Sequence, residues 1–203
     1  MKTKALVYGL VIAVAFCSGI HQAIAQQTDA EQPDMAAMMK MWEELAAPAA
    51  QHQGMAEMVG TWDATISMWM EPSAPPMTSA GVSTFSIMLG GRYLRQDFEG
   101  SALGRPFKGL GISGYDKFRQ EYFDLWLDDM STGMMITRGV ADSSGTVFTY
   151  TGKMDDPSVG RKDIPCRTVV TKIDKDHCRM EMYSTDESGS EMKTMEIAYT
   201  RRK

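Results

Sequence analysis

The sequence predicts an all-β domain: a closed or nearly closed antiparallel up-and-down barrel of about ten strands, preceded by an N-terminal helix. Three observations carry this. Apolar and polar residues alternate with period two in one segment after another from Trp62 to Arg201. Short links rich in glycine, proline, aspartate and serine separate most of the segments, and no helical periodicity interrupts them. Strands joined by short turns pair antiparallel, because a parallel pair needs a crossover of a dozen or more residues. Closing the sheet on itself is the simplest way for such a meander to leave no free edge.

The elements follow in order. Lys2 and Lys4 precede an uncharged run, residues 5–20, and Ala23-Ile24-Ala25 ends it with small residues at the right spacing. This is the pattern of a secretory signal peptide, residues 1–25, cleaved after Ala25, and the expected address is periplasmic or secreted. The run is shorter than the roughly 20 residues that cross a hydrocarbon core, so no membrane span is expected. A lipoprotein anchor at Cys17 is disfavoured by the bulky Phe16 before it. Residues 26–33 are polar and read as a flexible tether. Residues 34–59 are helical: Met35, Met38, Met39, Trp42 and Leu45 share one face, Asp34 caps, Pro48 stops the first helix, and a second short piece runs from about Ala49 to Val59.

Residues 60–203 form the barrel. The first strand alternates Trp62, Ala64, Ile66, Met68 and Met70 with polar or outward partners, and Pro72, Pro75 and Pro76 end it. The others are expected at 78–89, 92–99, 107–115, 120–128, 134–141, 147–154, 167–173, 178–184 and 191–201, with Gly90-Gly91 a tight turn and 155–165 a longer loop.

Cleavage would take the 21 basic residues to 19 against 26 acidic ones, a net charge of −7. With no basic cluster beyond Arg201-Arg202-Lys203, nucleic acid is a poor partner. The remaining cysteines, Cys166 and Cys178, flank a hairpin. A turn centred on Lys175 and Asp176 sets Ile173 opposite Cys178 and leaves Cys166 seven residues further along. At about 3.3 Å per residue the sulfurs are roughly 23 Å apart, and on opposite faces, so two free, buried thiols are expected.

A set of short motifs, in this order and spacing, resembles one bacterial family: His52, Gly60-Thr61-Trp62, Leu89-Gly90-Gly91-Arg92-Tyr93-Leu94, Gly114-Tyr115-Asp116, Trp126-Leu127-Asp128 and Tyr199-Thr200-Arg201. The family is domain of unknown function 1579, and the likeness runs from about Gln51 to Arg202. The family is similar to the calycins, the lipocalin-like barrels, in opening its first strand with Gly-x-Trp and closing its last with arginine. The resemblance implies that fold and no activity. First and last strands are neighbours in a closed barrel, so Arg201, preferred over Arg202, is expected on the indole of Trp62, beside Gly60, as a cation–π plug.

No nucleophile–base pair or metal-ligand spacing can be assembled from the sequence, so an enzyme is not expected, and neither is a cofactor. His52 reads as seating the short helix against the barrel end. His177, at a hairpin tip beside Asp174 and Asp176, is too exposed to serve as the single haem ligand that barrels resembling nitrobindins use. Eighteen methionines besides Met1 are unusual. Met35, Met38, Met39 and Met41, with His52, Met55 and Met58, suggest copper(I), against the plainer reading that methionines pack the helix and that Met68, Met70, Met180 and Met182 line the barrel.

A ligand cavity is the leading expectation, with a small apolar or amphipathic molecule as its occupant. A non-liganded structural or protein-interaction barrel is the alternative. On the fifth strand Tyr122, Asp124, Trp126 and Asp128 share one face and Phe123, Leu125 and Leu127 the other, and alternation alone leaves the inward face open. If the Trp126 face is inward, Asp124 and Asp128 need partners, and Arg95 is the one expected.

Overall fold

The computed structural model describes residues 34–203 apart from Pro72 and Glu187. The expected signal peptide, its cleavage site, Cys17 and the tether lie outside the described residues. By contacts the chain falls into two units, 1–43 and 44–203. Helix α1 (Met35–Ala46) begins where Asp34 accepts a hydrogen bond from the Ala36 backbone, and it buries none of its residues. At its C-terminal end the Lys117 ammonium donates to the backbone carbonyls of Glu44 and Ala47, a cation where the helix dipole favours one. Helix α2 (Ala50–Ala56) follows and buries His52 and Met55.

Ten strands then close into a barrel in chain order: β1 (Gly60–Met68), β2 (Met77–Met88), β3 (Tyr93–Ala102), β4 (Arg105–Asp116), β5 (Glu121–Asp128), β6 (Met135–Ala141), β7 (Val147–Asp156), β8 (Arg161–Lys172), β9 (His177–Thr185) and β10 (Glu191–Arg201). Each pairs antiparallel with the next, and β10 returns to β1 with Arg201 opposite Trp62 and Tyr199 opposite Ala64. Even-numbered residues of β1 point inward, as the burial of Trp62, Ala64 and Ile66 requires.

Glycines let the sheet bend and the interior rings lie flat on it. Phe98 covers Gly81 and Gly100, and the Trp126 ring lies where a Cβ on Gly109 would stand, 2.2 Å from that position. Such aromatic cover over a strand glycine restores the packing that the missing side chain forfeits. At Gly139 a Cβ would meet the Thr149 carbonyl oxygen at 2.2 Å, so β6 and β7 approach too closely there for any side chain.

Three expectations need correction. The stretch 155–165 is mostly strand: β7 runs on to Asp156 and β8 starts at Arg161, with a tight turn between them. Pro165 sits inside β8 opposite Lys153, one residue before the β9 ladder begins at Cys166, so its β9 side has no ladder to interrupt. The β8–β9 turn is centred one half-step earlier than expected, setting Lys172 opposite Cys178. That slip puts Cys166 and Cys178 on the same inward face, both buried and free, six residues apart in register. Met70 lies past the end of β1 and is exposed, so it does not line the barrel.

Candidate functional site

The up-and-down order gives the barrel two unlike ends. At one, α2 precedes Gly60, and the β8–β9 turn and the chain's last residues converge on it. Trp62, 1 % exposed, donates its indole N–H to the Met58 carbonyl. The Arg201 guanidinium lies over that indole, 4.1 Å from the ring centroid, and donates to the backbone carbonyls of Val59, Glu57 and Lys175. Gly60 has φ +128°, a conformation that favours glycine, and a Cβ there would stand 3.1 Å from the guanidinium. Arg202 instead points outward and pairs with Asp63. Lys172 reaches from the inner face of β8 to the Gly54 carbonyl (2.7 Å) and Glu57 (3.0 Å), tying α2 across this end.

His52 belongs to the same closure. Its Nδ1 accepts from the Ala49 backbone at 2.9 Å, and it packs edge-on against the Tyr115 ring. Burial lowers its pKa, which favours the neutral imidazole. His177 is exposed and bonds Asp174. Among the described residues no group of three His, Cys, Asp or Glu side chains is arranged to hold a metal.

Between α2 and the opposite end lies a cavity of ≈1200 Å³. Typical small-molecule sites span about 300–1,000 Å³, so the barrel is far from filled. Met55 and Met58 form its floor at the α2 end. Phe98, Phe107 and Trp126 pack against one another on the wall, with ring centroids 5.6 to 6.4 Å apart. The strand connections after β1, β3 and β5 form the mouth, where Met77, Leu103, Met130 and Met134 are exposed while bordering the cavity.

The structure settles the direction of β5. Tyr122, Asp124, Trp126 and Asp128 border the cavity. Phe123 lies outside, on the tilted ring of Tyr93 and over Gly114. Arg95 is a correction: Leu94 and Phe98 point in, so Arg95 must point out, and it makes a two-bond pair with Asp97 on the same outer face. It cannot partner the acids of β5. Asp128 needs no such partner, because it accepts from the Trp126 indole N–H and the Met130 backbone, both at 3.0 Å.

Asp124 is different. It lies midway along β5, directly opposite Ser113 on β4, whose hydroxyl donates to it at 2.6 Å. Among the described residues no cation pairs with it, and burial pushes its pKa up to about 6 against the pull of the Ser113 hydrogen bond. Its uncovered surface faces the cavity. Tyr150, close enough to feel the Asp124 charge, is directly opposite Thr168, whose buried hydroxyl finds no hydrogen-bond partner among the described residues. Two strands from β5 in the other direction, Gln96 on β3 donates to Ser83 at 2.9 Å and to the Tyr199 hydroxyl at 3.4 Å.

Sequence reasoning named the β5 face but missed Ser113, Tyr150, Thr168 and Gln96. For Ser113 a signal was present: a four-residue turn at Lys117-Phe118-Arg119-Gln120 sets 113 opposite 124 by counting back along both strands. Tyr150 and Thr168 carry no local mark, because their place relative to β5 depends on the register of the β6, β7 and β8 ladders taken together.

The profile of the family described as "Protein of unknown function (DUF1579)" matches residues 47–201. No curated protein matches the chain. Among solved structures, Rv2717c from M. tuberculosis is similar at TM-score 0.57 and 14 % identity, covering 77 % of this chain and 100 % of that one. The S-type phycobiliprotein lyase CPES from Guillardia theta is similar at TM-score 0.53 and 13 % identity, covering 77 % and 99 %. At such identities the likeness is one of fold, a lipocalin-like barrel.

Proposed function

Because the chain belongs to the DUF1579 family and its barrel encloses a large cavity, we propose that it is an exported binding protein for a small apolar or amphipathic molecule, without catalytic activity of its own. The carrying observation is the ≈1200 Å³ cavity. A barrel whose only task is structural gains by filling its interior, since each void forfeits dispersion contacts and burial. Here the interior side chains stop short of one another.

The lining suits this role. Met68, Met154, Met180, Met182 and Met195 border the void together with Phe85 and Trp126. Unbranched thioether chains re-pack around ligands of different shape at small rotamer cost. One end is tied shut by Lys172 and Arg201, and the other offers an apolar rim, so entry and exit take place past Met77, Leu103, Met130 and Met134.

Native mass spectrometry of the protein purified from its own compartment tests the proposal, paired with titration of an apolar fluorescent dye into the stripped protein. A retained added mass, or dye uptake at a stoichiometry of one that an interior substitution such as Met182→Trp suppresses, supports the carrier. Clean apo-protein that takes up no dye overturns it.

A further inference from the structure

We infer that the molecule this cavity takes carries a protonated amine, and that Asp124 is the group that receives it. The inference rests on the carrier reading above and adds the chemistry of the ligand's polar end.

The charged groups bordering the cavity decide the matter by elimination. Lys172 is committed to the Gly54 carbonyl and Glu57, Lys153 to Asp163, and Asp155 accepts from the Asp163 backbone N–H near the β7–β8 turn. Asp128 is satisfied by Trp126 and Met130. What remains, midway along the wall of the void, is a carboxylate to which a single hydroxyl donates and with which no cation pairs among the described residues. An ionised carboxyl group has about four acceptor positions, and Ser113 fills one of them. Taking a charge out of water without a partner is costly, so such a group is either kept neutral or awaits a cation.

A second, independent feature lies two and three strands further round the barrel, on β7 and β8. Thr168 is 9 % exposed, borders the cavity, and its Oγ1 has no partner among the described residues, which is costly for a buried hydroxyl. The register sets it directly opposite Tyr150, whose hydroxyl is near enough to Asp124 for the carboxylate charge to disfavour its ionisation. Asp124 with Ser113, and the Tyr150–Thr168 pair, are thus the polar positions on an otherwise apolar and aromatic stretch of wall. An ammonium has three N–H donors and no acceptor, which matches a site whose open positions are acceptors: carboxylate oxygens first, hydroxyl oxygens second. A carboxylate ligand meets the opposite situation, an acceptor brought against an uncompensated acid. The rest of the ligand is then an alkyl or aromatic body, lying along the methionines toward the mouth.

The test is titration of the stripped mature protein with decylamine, 1-decanol and decanoic acid at about pH 8, followed by tryptophan fluorescence and calorimetry, on wild type and on Asp124→Asn. The expected order is amine, then alcohol, then acid, with the amine bound about tenfold or more tighter than the alcohol, the scale of one hydrogen-bonded charge pair. Asp124→Asn brings the amine to within about threefold of the alcohol while alcohol binding persists, which also shows that the variant is folded. Equal affinity for all three in wild type, or preference for the acid, overturns the amine inference and leaves the carrier reading standing. Binding of none of the three overturns both. The wild-type ranking decides even if the variant fails to fold.

Discussion

Arg201 lies 4.1 Å from the ring centroid of Trp62, and the two residues are register partners across the β10–β1 seam. The last side chain of the sheet thereby covers the first large one, and three backbone carbonyls from α2, its exit and the β8–β9 turn converge on the same guanidinium. Arg201→Ala removes the cation–π contact, about 0.5–2 kcal/mol, and strips donors from those carbonyls. The expected total loss is about 2–4 kcal/mol in urea denaturation. Arg201→Lys recovers only part, because an ammonium cannot stack flat on the indole and reach three carbonyls at once. Arg202→Ala, which touches only the exposed Asp63, leaves the midpoint unchanged.

Asp124 makes stability depend on pH in a defined direction. Its folded pKa, about 6, lies above the ordinary aspartate value of 3.8, so between these limits the native state holds more protons than the unfolded chain. The contribution of this group is therefore fully present below about pH 4 and is lost as pH rises through the window, roughly 3 kcal/mol in all. Tyr150 and Tyr199, which feel the same charge, stay protonated throughout. His52, with a lowered pKa, acts in the opposite sense and is present in both proteins. The stability of Asp124→Asn minus that of wild type should thus rise between about pH 4 and 7 and then level off. A flat difference would mean that the carboxylate is solvated in the native state.

Gly109 and Trp126 occupy one space between them. Gly109→Ala places a methyl group where the indole lies and should shift the tryptophan emission and cost about 1–3 kcal/mol. Adding Trp126→Leu to Gly109→Ala relieves the clash, so the double variant should be more stable than the sum of the two single changes by a measurable coupling. Additive effects would show that the ring moves aside freely.

The Cys166 and Cys178 thiols should resist modification. Burial pushes the Cys178 thiol up to about 11 and raises that of Cys166 as well, so little thiolate is present near neutral pH. Ellman's reagent is expected to titrate neither in the native protein and both in denaturant, without prior reduction. Immediate reaction of either in the native state would mean that the barrel opens at β8–β9.

Intact-mass measurement of the protein recovered from an exporting host should give a chain beginning at Gln26. A mass that retains Lys2 and Lys4 would remove the expected signal peptide.

The strand order, the closure and the Trp62–Arg201 seam were legible because alternation, turn residues and chain order are local signals, and a closed meander has only one way to bring its ends together. The region around Pro165 was not, because proline breaks a ladder only on the side where a partner is present. The β8–β9 hairpin failed for a similar reason: a turn centred half a step away exchanges the faces of an entire strand, which put Cys166 inside with Cys178 instead of opposite it.

For the site, the sequence by itself determined that Tyr122, Asp124, Trp126 and Asp128 share a face of β5, while the outward direction of Arg95 came only from the burial of Leu94 and Phe98 in the structure. Tertiary structure alone decided that the β5 face is inward, since Phe123 and Leu125 make the other face nearly as apolar and burial there comes from Tyr93 and Gly114 on neighbouring strands. It also decided that the interior stays open. Parity along a strand says which residues point in, but the space left between them depends on the circumference and curvature of ten strands together, a quantity that no single segment contains.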